Sequence, residues 1–424
     1  MNFSVQQLQQ RIRAASQNNN LHLNDLFYAF DRKLKYMCIA TREIMDCMFE
    51  AYLTHDSNAE VDDIPLDSKE PVYISGKKYI AAEDLSAIRH EITSKIWFTY
   101  RRGFVPIGGD DGLTTDRGWG CMLRCGQMVL AHALVRAHLG PDWQWDADCK
   151  DPTYLKIIRK FEDNRQAPFS IHQIALMGAS EGKDVGQWFG PNTVSQVLKK
   201  LIKYDEWSSI VMQVALDNSI VINDIREACG VKSASSTCVI GATSQWKPLL
   251  LVIPMRLGLQ DINPIYVKSL KKCFQFKQSL GVIGGKPNLA LYFIGCIGDE
   301  VIYLDPHTTQ KTGSVDHKNS EDQVELDVTY HCKRASRMNI LSMDPSVAIC
   351  FFCPTEADFD ELCVRIREDL NGAQGQPLLD VCQEKQRQYS PPLDFEEALG
   401  AFSTEESLNA AEQFDSEEEF EIIH

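Results

Sequence analysis

An α+β fold is predicted from three features of the chain. An early helix is apolar on most of its sides, short runs of branched and aromatic residues follow it, and a two-residue turn joins two of those runs. The helix spans residues 123–139. Gly140-Pro141 stops it, and only Arg124, Gln127, His132, Arg136 and their neighbours interrupt its apolar surface. Such a helix belongs at the centre of a domain. A second helix, over residues 192–202, begins after Pro191 and places Val194, Val197, Leu198, Leu201 and Ile202 on one face. Residues 248–254, 289–296, 301–304 and 347–352 read as buried strands, with Gly298-Asp299 as a hairpin turn between two of them.

At roughly 150 residues per domain, 424 residues allow two to three domains. A hydrophobic content of 44% and a charged content of 24% exclude wholesale disorder and fibrous repeats. The net charge of −16 is unevenly spread. Residues 388–424 hold eleven Asp or Glu and no Lys or Arg, so the first 387 residues set 43 cations against 48 acids. The body is nearly neutral and has no phosphate-binding footprint, which argues against a nucleic-acid partner. Composition divides the chain into an N-terminal extension, partly helical (1–68), a globular body (69–384) and an acidic tail (385–424). The tail is too poor in apolar residues to offset its conformational entropy. The start, M-N-F-S-V-Q-Q, lacks the basic and apolar regions of a signal peptide, and no run approaches the roughly 18 apolar residues of a membrane span. The fourteen cysteines are irregularly spaced, as expected of reduced thiols in a cytoplasmic protein.

One cysteine stands apart. Cys121, in D-R-G-W-G-C-M-L-R-C-G, follows two glycines and opens the apolar helix. Unpaired N–H groups and the helix dipole at that position favour thiolate over thiol, and the same N–H groups suit an oxyanion. A core cysteine packed under Trp119 is the alternative reading. Downstream, Leu304-Asp305-Pro306-His307 follows a strand. Asp305 and His307 lie two apart and share a side if extended geometry continues, which Pro306 supports. A carboxylate beside an imidazole fixes its tautomer and stabilises the imidazolium. The other reading is an ordinary turn at a strand end. Together the three residues make a thiolate, imidazolium and carboxylate set if the fold brings them into contact.

Four longer blocks then become informative: D-R-G-W-G-C-M-L-R-C-G-Q-M, G-Q-W-F-G-P-N-T-V, S-L-G-V-I-G-G-K-P-N, and Y-F-I-G through Y-L-D-P-H-T-T-Q. In content and order they resemble the autophagin family, the autophagy-related-four cysteine peptidases of the papain-like superfamily. The likeness covers residues 71–352. It implies a papain-like α+β fold, with the nucleophile-bearing helix packed on a mainly antiparallel sheet and a helical excursion. It implies a peptidase that cuts after the C-terminal glycine of autophagy-related-eight ubiquitin-like modifiers of GABARAP type. The cut either activates the precursor for conjugation or releases the modifier from phosphatidylethanolamine. No metal and no cofactor are expected, and membranes are met only through the lipidated substrate. By motif position, Cys121 is the nucleophile, His307 the general base and acid, Asp305 its orienter, and Tyr100 a group near the oxyanion. Trp188 and the loop bearing Pro287 correspond to a gate over the groove. Arg256 and Leu259 correspond to positions that grip the folded part of the modifier. The tail ends F-D-S-E-E-E-F-E-I-I-H. Phe420 and Ile423 have the aromatic-x-x-aliphatic spacing of segments that add a strand to such modifiers. Ser416, followed by three glutamates, has the setting of an acid-directed phosphorylation site.

Three other motifs carry less. Gly178-Ala-Ser180-Glu-Gly182 matches the G-x-S-x-G of serine hydrolases, but residues 171–176 before it read as helix rather than strand. Cys350 and Cys353 lie on opposite faces if they share a strand, against a zinc site. Gly285-Lys286 lacks the Ser or Thr that a phosphate loop requires after the lysine. A catalytically silent adaptor that binds the same modifiers is the rival from another class.

Overall fold

A computed structural model describes residues 64–231, 246–287, 289–315, 321–370 and 377–384. The chain divides into two compact units, Met1–Cys382 and Gln383–His424. In the first unit the elements begin with β1 (Pro71–Ile74), β2 (Lys77–Ile80), α1 (Ala81–Thr93), β3 (Arg101–Ile107) and β4 (Leu113–Thr115). Four helices follow: α2 (Cys121–His138), α3 (Pro152–Arg159), α4 (Ile171–Met177) and α5 (Pro191–Leu201). Next come β5 (Val211–Val214), β6 (Ser219–Val221), α6 (Ile222–Ala228), β7 (Leu249–Arg256) and α7 (Val267–Cys273). The chain then runs through β8 (Ser279–Lys286), β9 (Leu289–Ile297), β10 (Glu300–Leu304), β11 (Gln310–Lys311) and α8 (Glu321–Val328). It finishes with β12 (Ser336–Asn339), β13 (Ser346–Cys353), α9 (Glu356–Arg365) and β14 (Asp380–Cys382).

The main sheet has the order β12-β10-β9-β8-β13-β7-β5, with β1 and β2 attached to β9. Its pairings are antiparallel except β5 with β7. One edge of β9 is shared: residues 289–293 pair with β8, and residues 295–297 pair with β1. The sheet is apolar on both faces, and alternation, shifted at irregularities in the β9–β10 and β8–β13 pairings, divides its side chains between two cores. Leu250, Val252, Ala348, Cys350 and Phe352 face the core that contains α2. Leu249, Leu251, Ile253, Val347, Ile349, Phe351 and Cys353 face a second core with α6, α7 and α9. Cys350 and Cys353 therefore do point apart, as the strand reading required. Ile64 also packs in the first core.

Helix α2 lies across β8 and β9 and packs against α3, α4 and α5, and α5 itself lies on β5, β7 and β13. Every residue from Cys121 to Val135 is buried, which is why the helix could be apolar nearly all round. Gly126 permits the close crossing with α5, since a Cβ there would stand 2.6 Å from Val194. Gly140, at φ 93°, ends the helix by donating its N–H to the Val135 carbonyl, the left-handed stop that Gly140-Pro141 announced. The polar exceptions on α2 are all partnered: Arg124 with Asp116 and Asp163, Gln127 with the Phe169 carbonyl, His132 with Tyr292, and Arg136 with the Ser279 and Lys277 carbonyls. No helix among the described residues is long and apolar enough to cross a membrane.

Candidate active site

Cys121 is the first residue of α2. Its N-cap, Gly120, contributes no side chain to the first-turn N–H groups, so those donors remain open for a ligand. A cap with a Cβ would not fit: it would lie 2.5 Å from Asp116 Oδ2. Asp116 is the post around which this turn is wound. Its carbonyl accepts from Gly120 N–H at 2.7 Å, and its fully buried carboxylate accepts from the Arg101 N–H and from Arg124 Nε, both at 2.7 Å. Arg124 also reaches Asp163 at 2.9 Å and Gln127 at 3.0 Å. Burial pushes the Asp116 carboxyl upward while Arg124 opposes that. This buried Asp116–Arg124–Asp163 strut was not assigned by the sequence reading, although an arginine within an apolar helix was its visible trace.

The segment after β10 is brought to the start of α2 by main-chain bonds. Tyr100 N–H donates to the Pro306 carbonyl and Gln310 N–H to the Tyr100 carbonyl, each at 2.9 Å, and β11 continues beside β3 in parallel. Trp97 Nε1 donates to the Asp305 carbonyl at 2.8 Å. On this clamp the Asp305 carboxylate accepts from His307 N–H at 2.9 Å and bonds His307 Nδ1 at 2.5 Å, so the two residues share a side as their spacing suggested. That bond fixes the ring. His307 Nε2 is buried and makes no hydrogen bond within ordinary geometric limits. Its other neighbours are the Cys121 thiol and the Tyr100 ring, which stands edge-on to it at 5.4 Å.

The electrostatics follow from these contacts. Burial disfavours charge on His307, but the hydrogen bond to Asp305 and the nearness of Cys121 outweigh it and raise the imidazole to about 9. Burial likewise disfavours a thiolate at Cys121. There the neighbouring His307 and its charge, the Ala290 N–H and the Tyr100 hydroxyl prevail and lower the thiol. Other thiols behave oppositely: burial pushes the partly buried Cys332 up to about 11 and the buried Cys296 and Cys363 to about 12. Cys125, one turn further along α2, is also pushed well up, first by burial and then by Cys121 itself. Cys121 and His307 thus form one ion-pairing unit in which the sulfur has the character of a thiolate.

The remaining expected site residues sit at different depths. Pro287 is exposed in the turn between β8 and β9, and the same hairpin delivers the Ala290 N–H to the sulfur. Trp188 is about half exposed on the segment before α5. Arg256, at the end of β7, donates to the carbonyls of Gly258 and Leu259, holding the loop that presents Leu259 at 85% exposure. Phe420, Ile423 and Ser416 lie outside the described residues, as does most of the expected N-terminal extension. Ser180 is on a 3₁₀ turn, donating to the Met177 carbonyl and accepting from Lys200, with helix α4 rather than a strand before it. The strand-to-helix turn of a serine hydrolase is not present there.

Comparison with known proteins agrees with this chemistry. The Peptidase C54 catalytic domain matches residues 85–365. Cysteine protease ATG4A of Gallus gallus is 44% identical over 377 residues, covering 84% of this chain and 98% of that protein. Cysteine protease ATG4B of Xenopus laevis is 44% identical over 393 residues, covering 89% of this chain and 100% of that protein. Cysteine protease ATG4A of Homo sapiens is 44% identical over 379 residues, covering 84% and 94%. A papain-like fold with a thiol at the head of its central helix, joined to these likenesses, places the chain in the peptidase C54 family as a cysteine-type peptidase.

Proposed function

We propose that this peptidase cleaves after the C-terminal glycine of autophagy-related-eight ubiquitin-like modifiers, with Cys121, His307 and Asp305 as its catalytic residues. The observation that carries the reading is the opposed shift of Cys121 and His307, beside a carboxylate that fixes the imidazole. The names of the relatives, cysteine proteases ATG4A and ATG4B, support the autophagy setting. The Cys121 thiolate attacks the glycine carbonyl, and the Tyr100 hydroxyl and open first-turn N–H groups receive the oxyanion. His307 gives its proton to the departing amine, leaving a thioester. The neutral imidazole then takes a proton from water, whose oxygen attacks the thioester and returns the thiolate. When the amine is phosphatidylethanolamine, the same cycle releases the modifier from its lipid. A glycine offers no side chain to hold, so selection falls to a narrow slot beneath Trp188 and Pro287 and to Arg256 and Leu259 on the folded modifier. The protein acts in the cytoplasm, meets membranes only through the lipidated substrate, and uses Phe420 and Ile423 of its acidic tail as a second hold.

The test is direct. A modifier carrying extra residues after its glycine is incubated with the full chain. Cleavage after the glycine is expected, with loss of at least about 10⁴-fold in Cys121→Ala, on the scale of removing a nucleophile, and with binding retained. Binding without cleavage by the unmutated chain would instead indicate an adaptor and overturn the proposal.

A further inference from the structure

A cavity of about 260 Å³ lies toward the other end of α2 from Cys121. That is just below the roughly 300–1,000 Å³ of most ligand pockets, enough for a small polar group. Its walls carry four cations, Lys77, Lys95, Arg136 and Lys277, against two carboxylates, Glu91 and Asp358. Glu91 alone serves two of the cations, Lys95 at 2.5 Å and Lys77 at 3.2 Å. The Arg136 guanidinium donates to neutral carbonyls, those of Ser279 at 3.1 Å and Lys277 at 2.7 Å. The other pairs, Lys77 with Asp142 and Lys277 with Asp358 and Glu361, involve solvent-exposed partners on one or both sides, where ion pairs are weak and exchange readily.

A second observation points to a ligand. Ser75 lines the same cavity, is 8% exposed, and its hydroxyl has no hydrogen-bond partner. A buried orphan hydroxyl is destabilising until something bonds it. The residue also holds the left-handed conformation at φ 51°, which is unfavourable for a side chain with a Cβ. The turn is pinned there by two main-chain bonds, Ser75 N–H to the Ile294 carbonyl and Gly76 N–H to the Phe274 carbonyl. His132 completes the wall; burial and the nearby Lys95 and Arg136 hold it neutral.

We propose that this cavity binds a phosphate-bearing small molecule, whose oxygens accept from the Ser75 hydroxyl, the Arg136 guanidinium and the surrounding ammonium groups. Several donors converge from different directions on a small volume. A phosphate, with three acceptor oxygens and close to two negative charges, satisfies them better than a planar carboxylate. Arg136 lies on the same helix as Cys121, roughly 22 Å along its axis at 1.5 Å per residue, so occupancy bears on the helix that carries the nucleophile. The source of the phosphate is either a soluble ester or a lipid headgroup.

The full chain is titrated with inositol trisphosphate and with inorganic phosphate by calorimetry at fixed ionic strength, potassium chloride serving as the blank. Saturable one-to-one binding is expected. It should weaken at least tenfold in Ser75→Ala and in Lys77→Gln/Lys277→Gln, whose folding is verified by thermal melts. The His132 ring resonances, assigned with His132→Asn, should move on titration while those of His307 stay. Binding of the soluble ester without a membrane identifies a soluble ligand. Binding only to vesicles containing phosphoinositide, with the same loss in the variants, identifies the headgroup. No heat beyond the chloride blank and no vesicle binding, or binding that the variants leave unchanged with His132 unmoved, overturns the proposal.

Discussion

At the scale of single residues, the site is a contest between burial and hydrogen bonding. Cys121 and His307 are both buried, which alone would keep both neutral; their mutual contact and the carboxylate of Asp305 reverse that. The sign of the pH dependence follows. The ion pair forms as Cys121 ionises on the acid side, below the ordinary thiol range, and is lost as His307 gives up its proton. Accordingly kcat/KM should describe a bell whose alkaline limb falls through about pH 9. Asp305→Asn removes the hydrogen bond and charge that raise the imidazole while leaving its burial, so the alkaline limb moves to lower pH. The maximal rate should fall by on the order of 10³–10⁴-fold, the scale seen when a triad loses its orienting carboxylate. A pH profile of the variant with an unmoved alkaline limb would show that Asp305 is not what sets His307.

Among the elements, the turn from Asp116 to Gly120 and the head of α2 act as one piece. Asp116 holds the turn through its carbonyl and holds Arg124 through its carboxylate, and Arg124 in turn fixes Asp163. Arg124→Met keeps much of the volume but strands two buried carboxylates, which should cost about 3–5 kcal/mol of unfolding free energy in urea. Replacing the pair by Asp116→Asn/Arg124→Met should recover part of that loss; no recovery would mean that the ion pair is not the origin of the effect. Such packing also explains what could be read from sequence. Helix α2 was legible because burial on nearly every side writes itself as an almost continuous apolar surface, and β7, β9, β10 and β13 because sheets covered on both faces read as continuous apolar runs. The short strands were not. β2 reads K-K-Y-I and is half exposed, and β3, R-R-G-F-V-P-I, contains both Gly and Pro. Nor was the clamp between Tyr100 and residues 305–310, because main-chain bonds leave no side-chain signature. Cys121, His307 and Asp305 were named from local chemistry and from resemblance; Asp163 and Ala290 became visible only when the fold brought them to Arg124 and to the sulfur.

For the whole molecule, the relevant fact is where the buried side chains lie in the chain. Among the described residues, both cores are assembled from side chains between Ile64 and Val381, one on each face of the main sheet, and the four groups of the candidate site all fall inside that span. The acidic segment beyond Gln388 contributes eleven carboxylates and no cation, so its removal shifts the charge of the chain strongly. If Phe420 and Ile423 are a second hold on the modifier, their contribution depends on effective concentration. It is small for a soluble substrate already seated at Cys121 and large where modifiers are crowded on one membrane, because each tail then engages a neighbour while the slot works. Deleting residues 389–424 should therefore leave the melting temperature and the hydrolysis of a short soluble substrate within about twofold, while release of modifier from densely loaded vesicles slows by roughly 10-fold or more. Phe420→Ala/Ile423→Ala should reproduce that slowing with the carboxylates intact. Equal losses on soluble and vesicle-bound substrate would assign the tail to the reaction itself, and recovery by the double substitution would assign the effect to charge.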